Sequence, residues 1–472
     1  MKPTASHDLI VIGGGSAGHA AARTAAGLGA KVALIESAEP LGGLCILRGC
    51  MPSKTLIETA NRMRAIRDAA RFGIRVAEPE LDVDALRDRV RSLVSDFRQH
   101  RESEMTSGRY KLLHGSASFT SEHEIEFATE KGESRTLTAT TFVIATGSTP
   151  SVPPIPGLAG TPYWTSDHVV HLPFLPKHLA VLGSGAIGME CAHLFEGLGS
   201  QVTVIARGDS IMGKMDPEIG TVIEAESGDR GIRFLKKTDL KSVTYRQNHF
   251  SLSLEGAADS LEADALLVAT GRTPATAHLG LEGIGITLED GRILIDDRCT
   301  TSLSHIFAAG DCASPVPVVH LAVIQGEVAG KNAIRLAKDG HRDTAAVWNR
   351  KSAMSGWFTE PQCVEIGMSE KEAQEKGITV LTGRKDYSDQ GKGIITGCQR
   401  GFVKVIADAE NGRLLGACGT GPLVIETAHI LQAAIELGVS AQDYLAIPHY
   451  HPTLAEAWHR AVADLADRLP VP

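Results

Sequence analysis

Apolar positions along the chain fall into two kinds of stretch, short buried runs closed by glycine turns and longer segments with helical spacing, and the two alternate. The run Leu9 to Ile12 ends in "GGGSAG", a small-residue stretch follows, and "KVALIE" comes next, so residues 8–36 predict strand, glycine turn, helix, strand. The same order returns in "LAVLGSGAIGMECAHLFEGLGSQVTVIARGD". Aligned without a gap, 13–36 and 183–206 share nine of 24 residues, including three glycines of each turn and the Gly-Leu-Gly that closes each helix. Between the two units, Ser53 is expected to cap a helix through "KTLIETANRMRAIRDAARFG", with Leu56, Ala60 and Met63 on one face and Gly73 as its stop. Leu86, Val90, Leu93 and Phe97 predict a second helix. "TFVIATGSTP" predicts a buried strand and turn, "SVPPIPGLAGTP" a linker, "ADALLVATGRTP" an echo of the first A-T-G turn, and "HIFAAGDCA" a strand with Asp311 at its end. From about residue 343 the pattern shifts to alternating strands such as "FVKVIAD" and to C-terminal helices.

The glycine turns carry chemistry. Gly13, Gly15 and Gly18 form G-x-G-x-x-G directly after a strand: the first allows the tight turn, the second lets a pyrophosphate approach the helix N-terminus, and the third lets helix and strand pack closely. Glu36 ends the next strand, where a carboxylate binds ribose hydroxyls. Gly183, Gly185 and Gly188 repeat the motif, but Ala206 and Arg207 stand where Glu36 stands in the first unit. A missing carboxylate and an added cation favour a 2′-phosphate, hence NADP over NAD at the second turn, against the plainer alternative of Arg207 as a solvated loop charge. Tight glycine turns also occur in ordinary α/β sheets, but two full units in one chain point to two dinucleotides.

A length of 472 residues exceeds one hydrophobic core and predicts about three domains. The composition, 43% hydrophobic and 22% charged with a net charge of −9, supplies no basic surface for nucleic acid. The four-residue apolar run near the N-terminus is too short for a secretion signal or a membrane span, so the expectation is a cytoplasmic protein with no membrane partner. In that compartment thiols stay reduced, and the eight cysteines are not read as a disulfide framework.

Two of them, Cys45 and Cys50 in "GGLCILRGCMPSK", stand out. A metal site would need two further ligands that no nearby cysteine or histidine supplies. A structural disulfide is disfavoured by compartment. For a redox pair, a regular helix would hold the two Cα atoms roughly 8 to 9 Å apart, beyond the about 7 Å a disulfide tolerates. Gly49 and Pro52 lie where the backbone can depart from helix, and Lys54 brings positive charge that favours thiolate.

"GGLCILRGCMPSK" resembles the active-site signature of the FAD-dependent pyridine nucleotide–disulfide oxidoreductases, the family of dihydrolipoyl dehydrogenase, glutathione reductase and mercuric reductase. Seven motifs follow in the family's order: first nucleotide turn, cysteine pair, A-T-G turn, second nucleotide turn, "AAGDCA", "WFTEPQ" and "HPTLAE". The resemblance implies an α/β fold of two Rossmann-like dinucleotide-binding domains plus a C-terminal α+β dimerisation domain. The boundaries expected are 1–150 for the FAD domain, 151–270 for the NAD(P) domain, 271–342 for a segment completing the FAD domain, and 343–472 for the dimerisation domain.

It also implies roles. Cys45 is the interchange thiol and Cys50 the charge-transfer thiol facing FAD; Lys54 approaches the flavin, paired with Glu190. Asp311 binds the FAD ribitol, with Ala117, Thr146, Gly147 and His320 among the cofactor contacts and Gly271 beside the nicotinamide nucleotide. His451, oriented by Glu456, is the acid–base group acting on the thiols of a second subunit, which makes the protein a homodimer. Thr453 and Glu456 also fit a T-x-x-E capping box opening the last helix, and the two readings of Glu456 are compatible. A thiol with an ordinary value near 8.5 is mostly protonated at neutral pH, so a base beside Cys45 serves both to generate thiolate and to reprotonate the leaving sulfur.

"GSGAIGME", His320 in "VVHLAV" and "HPTLAE" resemble the dihydrolipoyl dehydrogenase branch, which implies a dithiol/disulfide substrate of the lipoamide kind and a place in a 2-oxo-acid dehydrogenase complex. The tail "ADLADRLPVP" has no cysteine pair, and Ala186 stands where glutathione reductases generally carry tyrosine. Ala206 disagrees with that branch, which uses NAD and keeps an acidic residue there. The other reading is therefore an NADPH-dependent reductase of another small disulfide or of a metal ion.

Overall fold

The computed structural model describes residues 5–256, 258–340 and 346–469. Two compact units emerge: Met1–Ser53, Asp84–Ser151 and Arg272–Trp348 form the first, Lys54–Val83, Val152–Gly271 and Asn349–Pro472 the second.

The first unit is built on a seven-stranded sheet. Strands β1 (His7–Ile12), β2 (Val32–Glu36), β3 (Lys111–His114), β4 (Ser116–Ser121), β5 (Glu124–Ala128) and β6 (Ser134–Ile144) lie in the order β3-β2-β1-β6-β5-β4, with Ile306–Ala308 also on β6. β1, β2, β3, β6 and Ile306–Ala308 run parallel, which is why "LIVI" and "FVI" read as continuous apolar runs: both faces are covered. β6 is long enough to serve twice, its first half pairing antiparallel with β5 and its second half parallel with β1. Helix α1 (Ser16–Gly27) crosses the sheet beside the helix Val319–Asp339. They meet almost backbone to backbone, because a Cβ at Gly330 would stand 2.6 Å from the Ala21 carbonyl oxygen and one at Gly326 would overlap that of Ala17. The alanine-rich face of α1 is thus a packing choice as much as a nucleotide motif.

After β2 the chain forms α2 (Gly43–Leu47), α3 (Cys50–Arg67) and α4 (Val83–Met105). The sequence expectation for α3 is corrected here. The helix begins at Cys50, not after Ser53; the Ser53 hydroxyl donates to the Cys50 carbonyl 3.3 Å away and caps nothing. Gly73, with φ of +75°, does stop the following turn of 3-10 helix. In α4, Leu86 and Val90 are buried whereas Phe97 is 38% exposed, so the apolar stripe is only partly covered within the chain.

The second unit holds a parallel four-stranded sheet in the order Arg233–Leu235, Gln201–Ile205, His178–Leu182, Ala265–Val268, with the helix Ala186–Leu198 after the second glycine turn. It also holds an antiparallel five-stranded sheet, Met354–Trp357, Gln362–Gly367, Leu414–Gly421, Phe402–Asp408 and Val380–Asp386. Helices Val424–Leu437 and Glu456–Ala466 cover it, and the fully buried Trp458 donates its Nε1–H to Thr427 Oγ1 at 3.1 Å. The last helix opens at Glu456, two residues later than a Thr453 cap predicts. Half of the expected box forms: the Glu456 carboxylate accepts the Thr453 N–H at 2.9 Å, while the Thr453 hydroxyl donates instead to the Tyr450 carbonyl.

Candidate functional site

The first glycine turn has the geometry of a dinucleotide cradle. Gly13 has φ of +100° against the Ala145 carbonyl, and Gly18 packs onto the Gly13 carbonyl, so neither tolerates a side chain. Gly15 is the residue before α1, has no side-chain cap, and faces open space where a Cβ would go. The first-turn N–H groups of α1 are donors aimed at that space, which fits a pyrophosphate. Glu36 closes β2: Oε2 accepts the Gly14 N–H at 2.7 Å and Oε1 the Ala38 N–H at 2.8 Å, a rigid mount for a carboxylate toward ribose hydroxyls. Asp311 follows the strand Ile306–Ala308, and its Oδ2 accepts the Ser148 hydroxyl at 2.7 Å, one residue past Gly147 of the A-T-G turn. Thr146 of that turn reaches Cys312. Ala117 is buried in β4, and His320 is the exposed second residue of the helix Val319–Asp339. These features together fit FAD.

The cysteine segment is pinned to this turn: a Cβ on Gly43 would stand 2.8 Å from the Gly15 Cα. α2 ends at Leu47 and α3 begins at Cys50, and at Gly49 a Cβ would press on the Leu44 oxygen at 3.0 Å and the Cys45 Cα at 3.2 Å. The break between two helices brings the cysteines into hydrogen-bond contact. Neither is disulfide-bonded. That hydrogen bond to Cys50 and then burial hold the Cys45 thiol well above its ordinary value. Arg101 of α4, which the sequence reading passed over, is a cation that opposes this shift weakly. Its only local signal was a charged residue near the end of a helix, which describes most surface arginines.

Lys54 is engaged elsewhere. Its Nζ donates to Glu190 Oε2 at 2.8 Å and lies 4.7 Å from the centre of the Phe358 ring, while Glu190 Oε1 accepts the Phe358 N–H at 2.9 Å. Glu190 therefore joins α3 to the "WFTEPQ" segment. Along the same helix, His193 Nδ1 accepts the Glu360 N–H at 2.9 Å and its Nε2 faces Ser227 Oγ at 2.9 Å, while Glu196 binds Arg64 at 2.8 Å. Complete burial holds the His193 imidazole far below its usual value and neutral. His193 and Phe358 are contributors that motif reading did not single out.

At the second turn Gly183 has φ of +113°, Gly188 packs on the Gly183 carbonyl, and Gly185 precedes the helix Ala186–Leu198 with no side-chain cap. Gly271, φ +135°, has open space where a Cβ would be. Ala206 is buried, its N–H donating to Leu235, and Arg207 projects into solvent at the strand end. The Lys237 N–H donates to the Gly208 carbonyl at 3.0 Å, beside Arg207 in the chain. Asp209 also stands there, 3.7 Å from Lys237 Nζ.

In the C-terminal segment, His451 Nδ1 lies 3.0 and 3.2 Å from the two Glu456 oxygens. The imidazole is 75% exposed, which leaves Nε2 open to solvent or to another molecule. Burial opposes charge on Glu456, but the Thr453 N–H and His451 outweigh it and hold the carboxyl below its usual range. His449 is committed to Tyr444 at 3.2 Å and the Ile447 carbonyl. Cys191, Cys299, Cys312, Cys363, Cys398 and Cys418 are all pushed up by burial and stay protonated. Among the described residues no group of three or more histidine, cysteine or acidic side chains is placed to hold a metal ion, and no helix is long and apolar enough to cross a membrane.

Two family profiles cover the chain: pyridine nucleotide-disulphide oxidoreductase over residues 7–341, and the dimerisation domain of the same family over 354–462. A dihydrolipoyl dehydrogenase of Zymomonas mobilis is 31% identical over 458 residues, 96% of this chain and 97% of the relative. A mercuric reductase of Shigella flexneri is 35% identical over 444 residues, 92% of this chain and 76% of the relative. Among solved structures, the Cu(II) complex of the HOCl-induced flavoprotein disulfide reductase RclA from Escherichia coli aligns with a TM-score of 0.84 and 27% identity, over 98% of this chain and 99% of that one.

Proposed function

Because the chain belongs to the pyridine nucleotide-disulphide oxidoreductase family, FAD-dependent enzymes that use NAD(P)H, we propose that Cys45 and Cys50 are its redox pair and that it exchanges electrons with a small dithiol or disulfide, of which dihydrolipoamide/lipoamide is the first. The observation that carries this reading is the hydrogen-bonded pair held at a helix break against the first nucleotide turn. FAD, when bound, supplies the two-electron exchange between the nicotinamide and the dithiol.

The residues supply the rest. In the reducing direction Cys45 gives up its proton to a base and attacks the substrate disulfide, forming a mixed disulfide and releasing one thiol. Cys50 then attacks the Cys45 sulfur, releasing the second thiol. Two electrons and two protons leave the pair, and the substrate gains both. We assign the base to His451 of a second copy in a homodimer: with Nδ1–H held by Glu456, Nε2 is left as proton acceptor. Lys54, with its charge balanced by Glu190, is assigned to the flavin side. The FAD contacts proposed are Gly13, Gly15, Gly18, Glu36, Thr146, Gly147 and Asp311, with Ala117 and His320 beside them.

A second reading is favoured by Ala206 and Arg207: an NADPH-dependent reductase of another small disulfide or a metal ion, a chemistry that the mercuric reductase similarity keeps in view. An anaerobic titration of the FAD-loaded protein separates the two. If dihydrolipoamide bleaches the yellow colour at stoichiometric amounts, the lipoamide reading stands. If only NADPH does so, while exposing two titratable thiols per chain, the pair is right and the substrate is another disulfide or metal ion. Cys45→Ser must abolish disulfide-linked turnover in either case, and turnover that survives it defeats the reading.

A further inference from the structure

The helix Ala186–Leu198 leaves the second glycine turn and carries two side chains that grip one loop. Glu190 Oε1 accepts the Phe358 N–H at 2.9 Å, and His193 Nδ1 accepts the Glu360 N–H at 2.9 Å. The two side chains are three residues apart and share a helix face. Glu190 Oε2 accepts from Lys54 Nζ at 2.8 Å, and that Nζ stands 4.7 Å from the centre of the Phe358 ring. Lys54, Glu190, Phe358, Glu360 and His193 therefore belong to one connected corner, in which the loop is held at two alternate backbone N–H groups.

His193 is 1% exposed, and its partners fix its state. The Ser227 hydroxyl donates to the Ile223 carbonyl at 2.5 Å, so the oxygen that faces His193 Nε2 at 2.9 Å is an acceptor and Nε2 carries the proton. Nδ1 is then the bare nitrogen that the Glu360 N–H requires. A second proton would set donor against donor at Glu360. The Arg64 guanidinium, which donates to the His193 carbonyl and pairs with Glu196, also opposes that proton, as does the charge of Arg230. An apolar side chain would fill the same space; what the imidazole adds is an acceptor, without which the Glu360 N–H is left unpaired.

We propose that His193 is a positioning residue for the flavin side of the site: by holding Glu360 while Glu190 holds Phe358, it fixes this backbone, keeps the Phe358 ring beside Lys54, and sets where the Lys54 charge stands. This rests on the assignment of Lys54 to the flavin side. Two electrons added to a flavin raise its negative charge, so a cation held in place beside it favours the reduced form. Releasing Glu360 loosens the loop and weakens that preference.

The test compares His193→Phe, a ring of similar size with no acceptor, with His193→Asn, whose amide oxygen takes the Nδ1 place. Deuterium uptake at the Glu360 amide, read by peptide mass, should rise about tenfold in His193→Phe and stay near wild type in His193→Asn. In the FAD-loaded protein, with the cysteine pair kept reduced by excess dithiothreitol, the ratio of reduced to oxidised flavin is read against a reference dye. It should fall about tenfold in His193→Phe, about 30 mV for a two-electron couple, and recover in His193→Asn. Lys54→Met removes the charge itself and separates the two claims. An unchanged flavin ratio in Lys54→Met overturns the flavin-side assignment; a lowered ratio there with none in His193→Phe overturns the role of His193 alone. If His193→Phe does not retain FAD, deuterium uptake in the wild type decides: a Glu360 amide that exchanges like an open loop rejects the proposal, and a protected one that His193→Asn preserves supports it.

Discussion

His19 offers a quantitative test of how the first nucleotide domain holds together. It sits on α1, one turn past Gly15, with its side chain 7% exposed and its Nδ1 3.0 Å from the Tyr110 hydroxyl. Burial, then the charge of Arg101, lowers the imidazole to about 4 from an ordinary 6.5, with Glu104 pulling the other way. The folded pKa of a base is therefore depressed. The unfolded chain binds the proton first as pH falls, and stability is lost from about pH 6.5 down to about pH 4. Between pH 7 and pH 5 the linkage relation for these two values amounts to about 1.8 kcal/mol from this one group. His19→Gln removes the titration and keeps a polar partner for Tyr110. Denaturant midpoints of the FAD-loaded wild type and variant, followed by FAD release, should converge as pH falls from 7 to 5, by about that amount once multiplied by the denaturant slope. Parallel pH profiles for the two proteins would mean that His19 titrates alike in the folded and the unfolded chain, and the burial argument fails.

Three further outcomes follow from the geometry. Ala206→Glu combined with Arg207→Ala should reverse nicotinamide preference from NADPH to NADH, read as the ratio of kcat/KM values and as binding of 2′,5′-ADP against 5′-AMP; unchanged constants refute the reading of that strand end. Glu190→Gln leaves an amide oxygen for the Phe358 N–H but strips Lys54 of its counter-charge, and with the pair only 32% and 14% exposed the expected cost is about 1–3 kcal/mol, between surface and fully buried pairs, seen as a lower denaturation midpoint together with slower thiol reduction. His451→Gln should lower kcat by about 10² to 10⁴ without changing FAD content, whereas Glu456→Gln, still able to accept from Thr453, should leave stability near wild type and shift the pH–rate profile.

Much of the fold was legible because its signals are local. Two strand–turn–helix units follow from glycines that meet backbone at a few ångströms and from apolar runs covered on both faces, and such features recur wherever neighbouring residues alone create the constraint. Helix starts were less legible. "PSK" and "HPTLAE" both advertise caps, yet α3 begins at Cys50 and the last helix at Glu456, because the Ser53 and Thr453 hydroxyls donate to the Cys50 and Tyr450 carbonyls instead of accepting a helix N–H.

What the sequence by itself determined is therefore the α/β architecture, the two dinucleotide turns, the cysteine pair and, through resemblance, the family. Tertiary structure alone decided which charges act on which sulfur. Lys54 lies four residues from Cys50 yet is drawn to Glu190, 136 residues away, whereas Arg101, more than fifty residues from Cys45, is a cation felt weakly there. Electrostatic influence follows distance through space and burial, neither of which spacing along a chain records. The same reason explains His19 and His193: each looks like an ordinary helix residue until packing removes its water and makes its proton part of the stability of the fold.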